Sequence, residues 1–251
     1  MATIAEATVA PREMVRYFGE GAKAGKECEL AYNTTFMAAI WDAIATKDVR
    51  LLRKSMGRLP AKPLGTTWIT YLRCHDDIKL EFNDQDIYSI GFDAQRHRAF
   101  LKNFYTGKYK KSTAKGAVFS NNPKTDDIRL SGTLAALAGL EHAVQLGNDL
   151  EKDLACRRIA MMHAVILAYG GLPMLYYGDE LGSMNDYTYV QEDDKAYDNR
   201  WMHRPIMNWK AAEKRNDPES VQGYIFNSLK QNFERIFTNT ALRLVNGCKW
   251  W

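Results

Sequence analysis

A histidine and two adjacent aspartates, His75, Asp76 and Asp77, stand directly after a run of β-prone residues. The run, residues 67–72, reads TWITYL, and its aromatic and β-branched side chains are typical of a half-buried strand. Catalytic groups often follow the carboxyl ends of strands in α/β proteins, where a histidine and carboxylates can transfer protons or bind a divalent cation. A solvated polar turn after a strand would have the same composition, and a short motif alone does not separate the two interpretations.

A second segment, residues 170–180, repeats this arrangement of a short apolar run followed by acidic residues. It reads GGLPMLYYGDE, and residues 149–169 before it are rich in Ala, Leu, Met, Ile and Arg and lack proline. That composition predicts a helix that ends at the glycine pair. A strand, a long connection, a helix and a further strand imply parallel neighbours, so the chain is predicted to be α/β.

The remaining elements are predicted from local patterns. A strand near residues 2–9 precedes a helix near residues 12–18, which Gly19 would end. Residues 29–32 are a candidate strand. Residues 35–45 are typical of an amphipathic helix, because their large apolar side chains recur on one face, which we expect to be buried.

Together these segments resemble the alpha-amylase family of glycoside hydrolases and transglycosidases, and most closely its amylosucrase-like members. Residues 71–78, YLRCHDDI, are similar to the family's strand-seven motif, and residues 171–180 are similar to its strand-eight motif. Residues 122–133 and 198–205 resemble amylosucrase-like sequences in particular. The motifs follow one another in the family's order over nearly the whole chain.

The resemblance implies roles for five residues. Glu6, in a segment similar to the family's strand five, would be the general acid/base. Asp76 would stabilise the transition state, and His75 would contact the sugar. Arg200 would pair with Asp77 and close the base of a pocket for one terminal glucose, whereas a surface ion pair is the alternative. The residues around Glu6 are typical of a buried strand, where burial would favour the protonated acid; a surface glutamate on a frayed terminus is the alternative.

The fold that the resemblance implies is a partial TIM-type (β/α)8 barrel, with about strands five to eight. In this family the nucleophilic aspartate lies on strand four, in a Gly-x-Arg-x-Asp pattern, and no segment before Glu6 could hold it. We therefore expect a fragment of a larger catalytic domain that is inactive on its own. Residues 1–79 would form strands five to seven, residues 80–143 an inserted subdomain, and residues 144–251 strand eight with the terminal helices.

The implied function is α-retaining glucosyl transfer or hydrolysis on sucrose or α-glucans, without a cofactor or a metal. The missing N-terminal half of the barrel would be a candidate partner. Two alternatives stay open: a non-catalytic half-barrel with residual sugar binding, and a metal-dependent His-Asp phosphohydrolase. The second needs a histidine upstream, whereas His75 is the first of the chain. Lys79 stands where amylosucrases usually have a glycine, which leaves the choice of substrate open.

The composition is that of an ordinary globular protein, with 46% hydrophobic and 25% charged residues. The net charge of +4 is too small to indicate a nucleic-acid partner, and the Lys-rich stretch 102–115 is more typical of a solvated loop. The four cysteines lack Cys-x-x-Cys spacing, which argues against a zinc site or a redox pair. Neither a signal pattern nor an uninterrupted apolar span is visible, so we expect no membrane contact and a cytoplasmic location.

Overall fold

The computed structural model describes residues 2–7, 9, 11–121 and 128–238. The strands within these residues are β1 (Ile4–Ala5), β2 (Leu30–Tyr32), β3 (Thr67–Thr70), β4 (Ile78–Leu80), β5 (Ala117–Asn121), β6 (Ile128–Ser131) and β7 (Leu172–Pro173). The α-helices are α1 (Pro11–Tyr17), α2 (Thr34–Thr46), α3 (Arg50–Gly57), α4 (Asp84–Ser89), α5 (Ala94–Tyr105), α6 (Leu134–Leu137), α7 (Leu140–Leu146), α8 (Asp149–Tyr169), α9 (Trp209–Ala212) and α10 (Val221–Thr238). Short 3₁₀ helices cover Gly21–Lys23, Asp179–Leu181, Thr188–Gln191, Asn199–His203 and Glu213–Asn216.

Four strands form a parallel sheet in the order β1-β2-β3-β7, with helices between them. The register pairs are Ile4 with Leu30, Leu30 with Thr67, and Ile69 with Leu172. The parallel order confirms the predicted α/β class. Because all four strands run in the same direction, their carboxyl ends share one edge of the sheet, to which β1 delivers Glu6 and β3 delivers the loop 71–77.

The glycine pair after α8 lets β7 approach β3 closely. Helix α8 ends at Tyr169, as predicted, and Gly170 and Gly171 follow with φ of +100° and +85°. A Cβ atom at position 171 would lie 2.4 Å from the carbonyl oxygen of Trp68. A side chain there is therefore excluded both by its backbone conformation and by space.

Helix α2 buries the apolar face that its periodicity predicts. Phe36, Ile40 and Trp41 are buried in the main core, and Ile44 packs against it. The indole N–H of Trp41 donates to the carbonyl of Leu72 at 2.8 Å. This hydrogen bond fixes the backbone at the end of β3, immediately before the polar loop.

The long segment between β3 and β7 contains an antiparallel sheet in the order β4-β6-β5, together with helices α4 to α7. Strand β4 begins at Ile78, directly after the two aspartates, so this sheet is anchored at the polar loop. The sequence patterns did not predict these strands. The domain limits 1–79, 80–143 and 144–251 stay a prediction.

A buried pair ties α5 of this segment to α2. The Nε2 atom of His97 lies 2.7 Å from Oδ1 of Asp42, with the two side chains 4% and 1% exposed. Phe92 stacks on the imidazole ring, and burial raises the pKa of Asp42. His97→Ala strands this carboxyl without its partner, so we expect the free energy of unfolding in urea to fall by about 3 kcal/mol. Arg96→Ala, on the exposed side of α5, should change the free energy of unfolding by less than about 0.5 kcal/mol. Equal effects of the two substitutions would show that the His97–Asp42 pair does not stabilise the fold.

Some predictions concern residues that the structure does not describe. Residues 122–127 of the amylosucrase-like stretch lie outside it, as do residues 239–251 with Cys248 and the terminal tryptophans. The cysteines within the described ranges are free, as expected for scattered thiols. None of the helices in those ranges has the length and apolar character needed to cross a membrane.

Candidate active site

Three of the predicted residues meet at the carboxyl edge of the parallel sheet. The Nε2 atom of His75 lies 3.7 Å from Oε1 of Glu6 and 3.7 Å from Oδ2 of Asp76. The side chains are 63% (Glu6), 50% (His75) and 41% (Asp76) exposed. The expected burial of Glu6 is therefore wrong. The physical reason is its position after β1, an outer strand of the described sheet that has a neighbour on one side only.

A small cavity of about 40 Å³ adjoins these groups. Its lining combines charged side chains, Glu6, Asp76, Asp77 and Lys79, with less polar ones that include Tyr32, Tyr71 and Cys74. The two tyrosine rings meet edge to face at 5.2 Å. Burial raises the pKa of Cys74 to about 11 and that of Tyr71 well above its usual value, so both groups stay protonated. Aromatic side chains together with carboxylates suit a ring that carries hydroxyls on its rim.

Arg200 reaches this site from the 3₁₀ helix Asn199–His203. Its Nη1 atom lies 3.1 Å from Oδ1 of Asp76, and Asp198 binds the other side of the guanidinium at 2.7 to 3.0 Å. The guanidinium also lies 4.7 Å from the ring centre of Phe119 on β5. The arginine is therefore held in one orientation by a bidentate pair and an aromatic face.

The predicted pair between Arg200 and Asp77 is not the one that the structure shows. Asp198, two residues before Arg200, orients the guanidinium so that its free end faces Asp76. Asp77 instead faces Arg129 on β6, at 3.6 Å. Burial raises the pKa of Asp77, and the charge of Arg129 opposes that rise. Asp77 thus joins the polar loop to the antiparallel sheet.

A buried ion pair that the sequence analysis assigned no role holds the loop from behind. Arg73 Nε lies 2.9 and 3.0 Å from the two carboxylate oxygens of Asp179, with side chains 1% and 3% exposed. The same guanidinium donates to the carbonyl of His203 at 2.9 Å and lies 4.4 Å from the ring centre of Tyr176. The pair therefore joins the ends of β3 and β7. The signal available in the sequence was a charged residue in each of the two motifs, Arg73 in residues 71–78 and Asp179 in residues 171–180.

The backbone of His75 is fixed by two further residues outside the predicted set. Its carbonyl accepts from Nε2 of His203 at 3.0 Å and from Nε of Arg204 at 2.6 Å. The Nδ1 atom of His203 accepts from the backbone N–H of Gly132 at 3.1 Å, so Nε2 carries the proton. Burial lowers the pKa of His203 to about 4, which keeps the ring neutral. His203 is therefore a positioning residue.

This neutral histidine predicts a pH dependence of stability. A histidine with a lowered pKa in the folded state stabilises fully above its unfolded pKa of about 6.5, and that contribution is lost as the pH falls toward 4. We expect the free energy of unfolding of the native protein to drop by up to about 3 kcal/mol more than that of His203→Gln over this range. Parallel curves in urea titrations at several pH values would show that His203 titrates normally.

The three clustered side chains could also ligate a metal ion, since their ligand atoms lie within 4.8 Å of one another. The guanidinium groups of Arg200 and Arg204 lie 3.1 and 3.7 Å from Oδ1 of Asp76. Such nearby positive charge disfavours a bound metal cation. The arrangement thus supports acid–base and electrostatic chemistry more than metal chemistry.

No family model matches the chain. "Trehalose synthase/amylase TreS" of Mycolicibacterium smegmatis is 26% identical over 223 residues, or 89% of this chain and 30% of that protein. Trehalose synthase of Pimelobacter sp. is 28% identical, over 75% of this chain and 27% of that protein. Glucosylglycerate phosphorylase of Escherichia coli is 23% identical, over 91% of this chain and 37% of that protein.

A solved structure is similar in fold. Sucrose 6F-phosphate phosphorylase from Thermoanaerobacter thermosaccharolyticum matches with a TM-score of 0.53 and 17% identity, over 84% of this chain and 37% of that one. This likeness and the parallel sheet fit a TIM-barrel family. The chain spans roughly 27% to 37% of the length of the curated relatives named above. These matches confirm the predicted resemblance to the alpha-amylase family of glycoside hydrolases and transglycosidases, of whose members the chain matches a part.

Proposed function

We propose that this chain supplies the acid/base and the transition-state-stabilising groups for α-retaining glucosyl transfer or hydrolysis on sucrose or an α-glucan. The observation that carries the proposal is the meeting of Glu6, His75 and Asp76 beside a small cavity that two tyrosines also line, with Arg200 bound to Asp76.

Each of these groups has a distinct part in the proposed reaction. Glu6 donates a proton to the departing oxygen and later takes one from the acceptor. Asp76 faces the ring as it acquires positive charge, and His75 binds a glucosyl hydroxyl. Arg200 keeps Asp76 in place through a charge-assisted hydrogen bond, while His203 and Arg204 fix the backbone of the loop.

A retaining reaction also needs a carboxylate nucleophile, and we propose that a strand-four segment of the barrel supplies it. The outer strands of the parallel sheet, β1 and β7, each pair with one strand among the residues described. Their open flanks are the positions at which further parallel strands of a barrel would pair. On this proposal the chain contributes about strands five to eight.

Phosphorolysis is a second candidate reaction. Two of the similar proteins named above are phosphorylases, of glucosylglycerate and of sucrose 6F-phosphate. A retaining phosphorylase would take phosphate as its acceptor in place of a sugar or water, so the same residues would serve. The choice lies in what enters the site after the leaving group departs.

The experiment follows fructose and glucose release from sucrose, trehalose and maltotriose by proton NMR, with and without inorganic phosphate. For the chain by itself we expect no fructose from sucrose, and for its mixture with a polypeptide that carries the strand-four aspartate we expect an α-configured product. Glu6→Gln should abolish release from the mixture. Robust release by the isolated chain would place a nucleophile within it, and sugar binding without turnover in the mixture would favour a non-catalytic half-barrel.

A further inference from the structure

A second and larger cavity adjoins the candidate active site. Its volume is about 490 Å³, within the usual range for small-molecule pockets. Thr34 and Lys79 line both this cavity and the smaller one that holds Glu6 and Asp76. A molecule placed in the larger cavity would therefore lie next to the smaller cavity that Glu6 lines.

This cavity is lined by more cationic than anionic side chains. Its lining contains three cations, Arg12, Arg58 and Lys79, and two carboxylates, Glu81 and Asp86. Arg58 lies 2.8 Å from Asp86, whose side chain is 4% exposed, so this pair is internally satisfied. Lys79 lies 2.5 Å from Glu81. Arg12 is exposed, and in the part of the chain that the structure describes it forms no ion pair with a carboxylate.

We propose that this cavity binds an acidic acceptor, a small hydroxylated molecule with a carboxylate or a phosphate, through Arg12 and Lys79. The inference rests on the proposed function, because it assigns the acceptor of the same glucosyl transfer. Lys79 is 15% exposed and stands at the boundary of the two cavities, so its ammonium group is held where an acceptor would cross. An anion bound there directs a hydroxyl of the same molecule toward Glu6.

Glu81 gives the proposal a specific signature. Its side chain is 40% exposed, and its carboxylate forms an ion pair with the ammonium group of Lys79. An incoming anion therefore competes with Glu81 for the same ammonium group. Removal of this negative charge should therefore tighten anion binding. A merely structural role of the Lys79–Glu81 pair would leave binding unchanged or weaken it.

The test is calorimetric titration of the chain with inorganic phosphate, D-glycerate and glycerol. We expect both anions to bind and glycerol to bind at least about tenfold more weakly, with affinities that fall as salt is added. Arg12→Gln and Lys79→Gln should each weaken anion binding about tenfold, and Glu81→Gln should strengthen it several-fold. Arg53→Gln is the matched control, because Arg53 is exposed on α3 and lies outside both cavities.

The two anions separate a carboxylate acceptor from a phosphate acceptor. Glycerol binding as tight as that of the anions, or unchanged affinity in both Arg12→Gln and Lys79→Gln, would overturn the proposal. Its failure is distinguishable from that of the proposed function. Charge-dependent binding without glucosyl transfer by the completed barrel keeps the cavity and removes the reaction, whereas transfer to neutral acceptors without anion binding does the reverse.

Discussion

We expect Asp76→Asn to lower the turnover of glucosyl transfer about a thousandfold in the barrel completed by the strand-four polypeptide, while the affinity for the donor changes little. The carboxylate acts when the ring carries positive charge, so its loss is felt in the transition state and not in the ground state. Arg200, 3.1 Å away and still paired with Asp198, would then place a positive charge beside the ring that Asp76 no longer offsets. The measurement is kcat and KM for sucrose.

Asp193→Asn is the control, since Asp193 lies exposed in a loop that the proposed chemistry does not use. It should leave both kinetic constants unchanged. A large loss of affinity with preserved turnover in Asp76→Asn would contradict the role given to Asp76, because it would make this carboxylate a ground-state binding group.

Of the substitutions considered, we expect Arg73→Met to lower the free energy of unfolding most, by about 3 to 5 kcal/mol at pH 8. The substitution leaves the carboxyl group of Asp179 buried without its cation. Burial raises the pKa of Asp179 to about 6 even in the native protein, and Arg73 opposes that rise. A carboxyl whose pKa is higher folded than unfolded holds its proton more tightly in the folded state, so its contribution to stability declines as the pH rises through the folded pKa. Without Arg73 the pKa of Asp179 in the folded state must rise further, so this decline must be larger and extend to higher pH.

The loss should therefore be smaller at pH 5, where Asp179 can take up a proton, than at pH 8. Urea denaturation of the native protein and of Arg73→Met at both pH values measures the difference. The double variant Arg73→Met/Asp179→Asn should recover most of the lost free energy, because the buried charge is gone. Equal losses at the two pH values, with no recovery in the double variant, would show that packing of the arginine stem matters more than charge.

The parts of the fold that the sequence predicts well are those decided by local patterns. Helix α8 has the predicted limits because its composition and the glycine pair are contiguous in the chain. The run of residues 67–72 forms β3 as expected, although the strand ends two residues early, at Thr70. The sheet β4-β6-β5 was not predicted, since its short strands take their order from contacts between distant residues.

The candidate site shows the same limit. His75 and Asp76 are neighbours in sequence, and their meeting with Glu6 followed from the resemblance and the parallel sheet. The partner of Arg200 depends on a contact across 124 positions, and the local competitor Asp198 decides it. Residue types and spacing carry no information about such a competition.

The contacts that position the polar loop 71–77 could not be predicted from sequence patterns either. The pair of Arg73 with Asp179 spans 106 positions, and the bond from His203 to the backbone of His75 spans 128. Both contacts depend on how the strand ends and the 3₁₀ helix Asn199–His203 pack together. Their roles can be assigned only when burial and distances are known.

The most direct test of the central claim is a calorimetric titration with 1-deoxynojirimycin, a glucose-shaped imino sugar whose ring nitrogen is protonated near neutral pH. Its charge mimics the positive charge of the transition state, so the test needs no nucleophile. We predict that the chain binds it at least about tenfold more tightly than D-glucose, and that Asp76→Asn removes this preference while glucose binding persists. Equal affinities for the two sugars in the native chain, or a preference that survives Asp76→Asn, would contradict the assignment of this cluster as a glucosyl-transfer site.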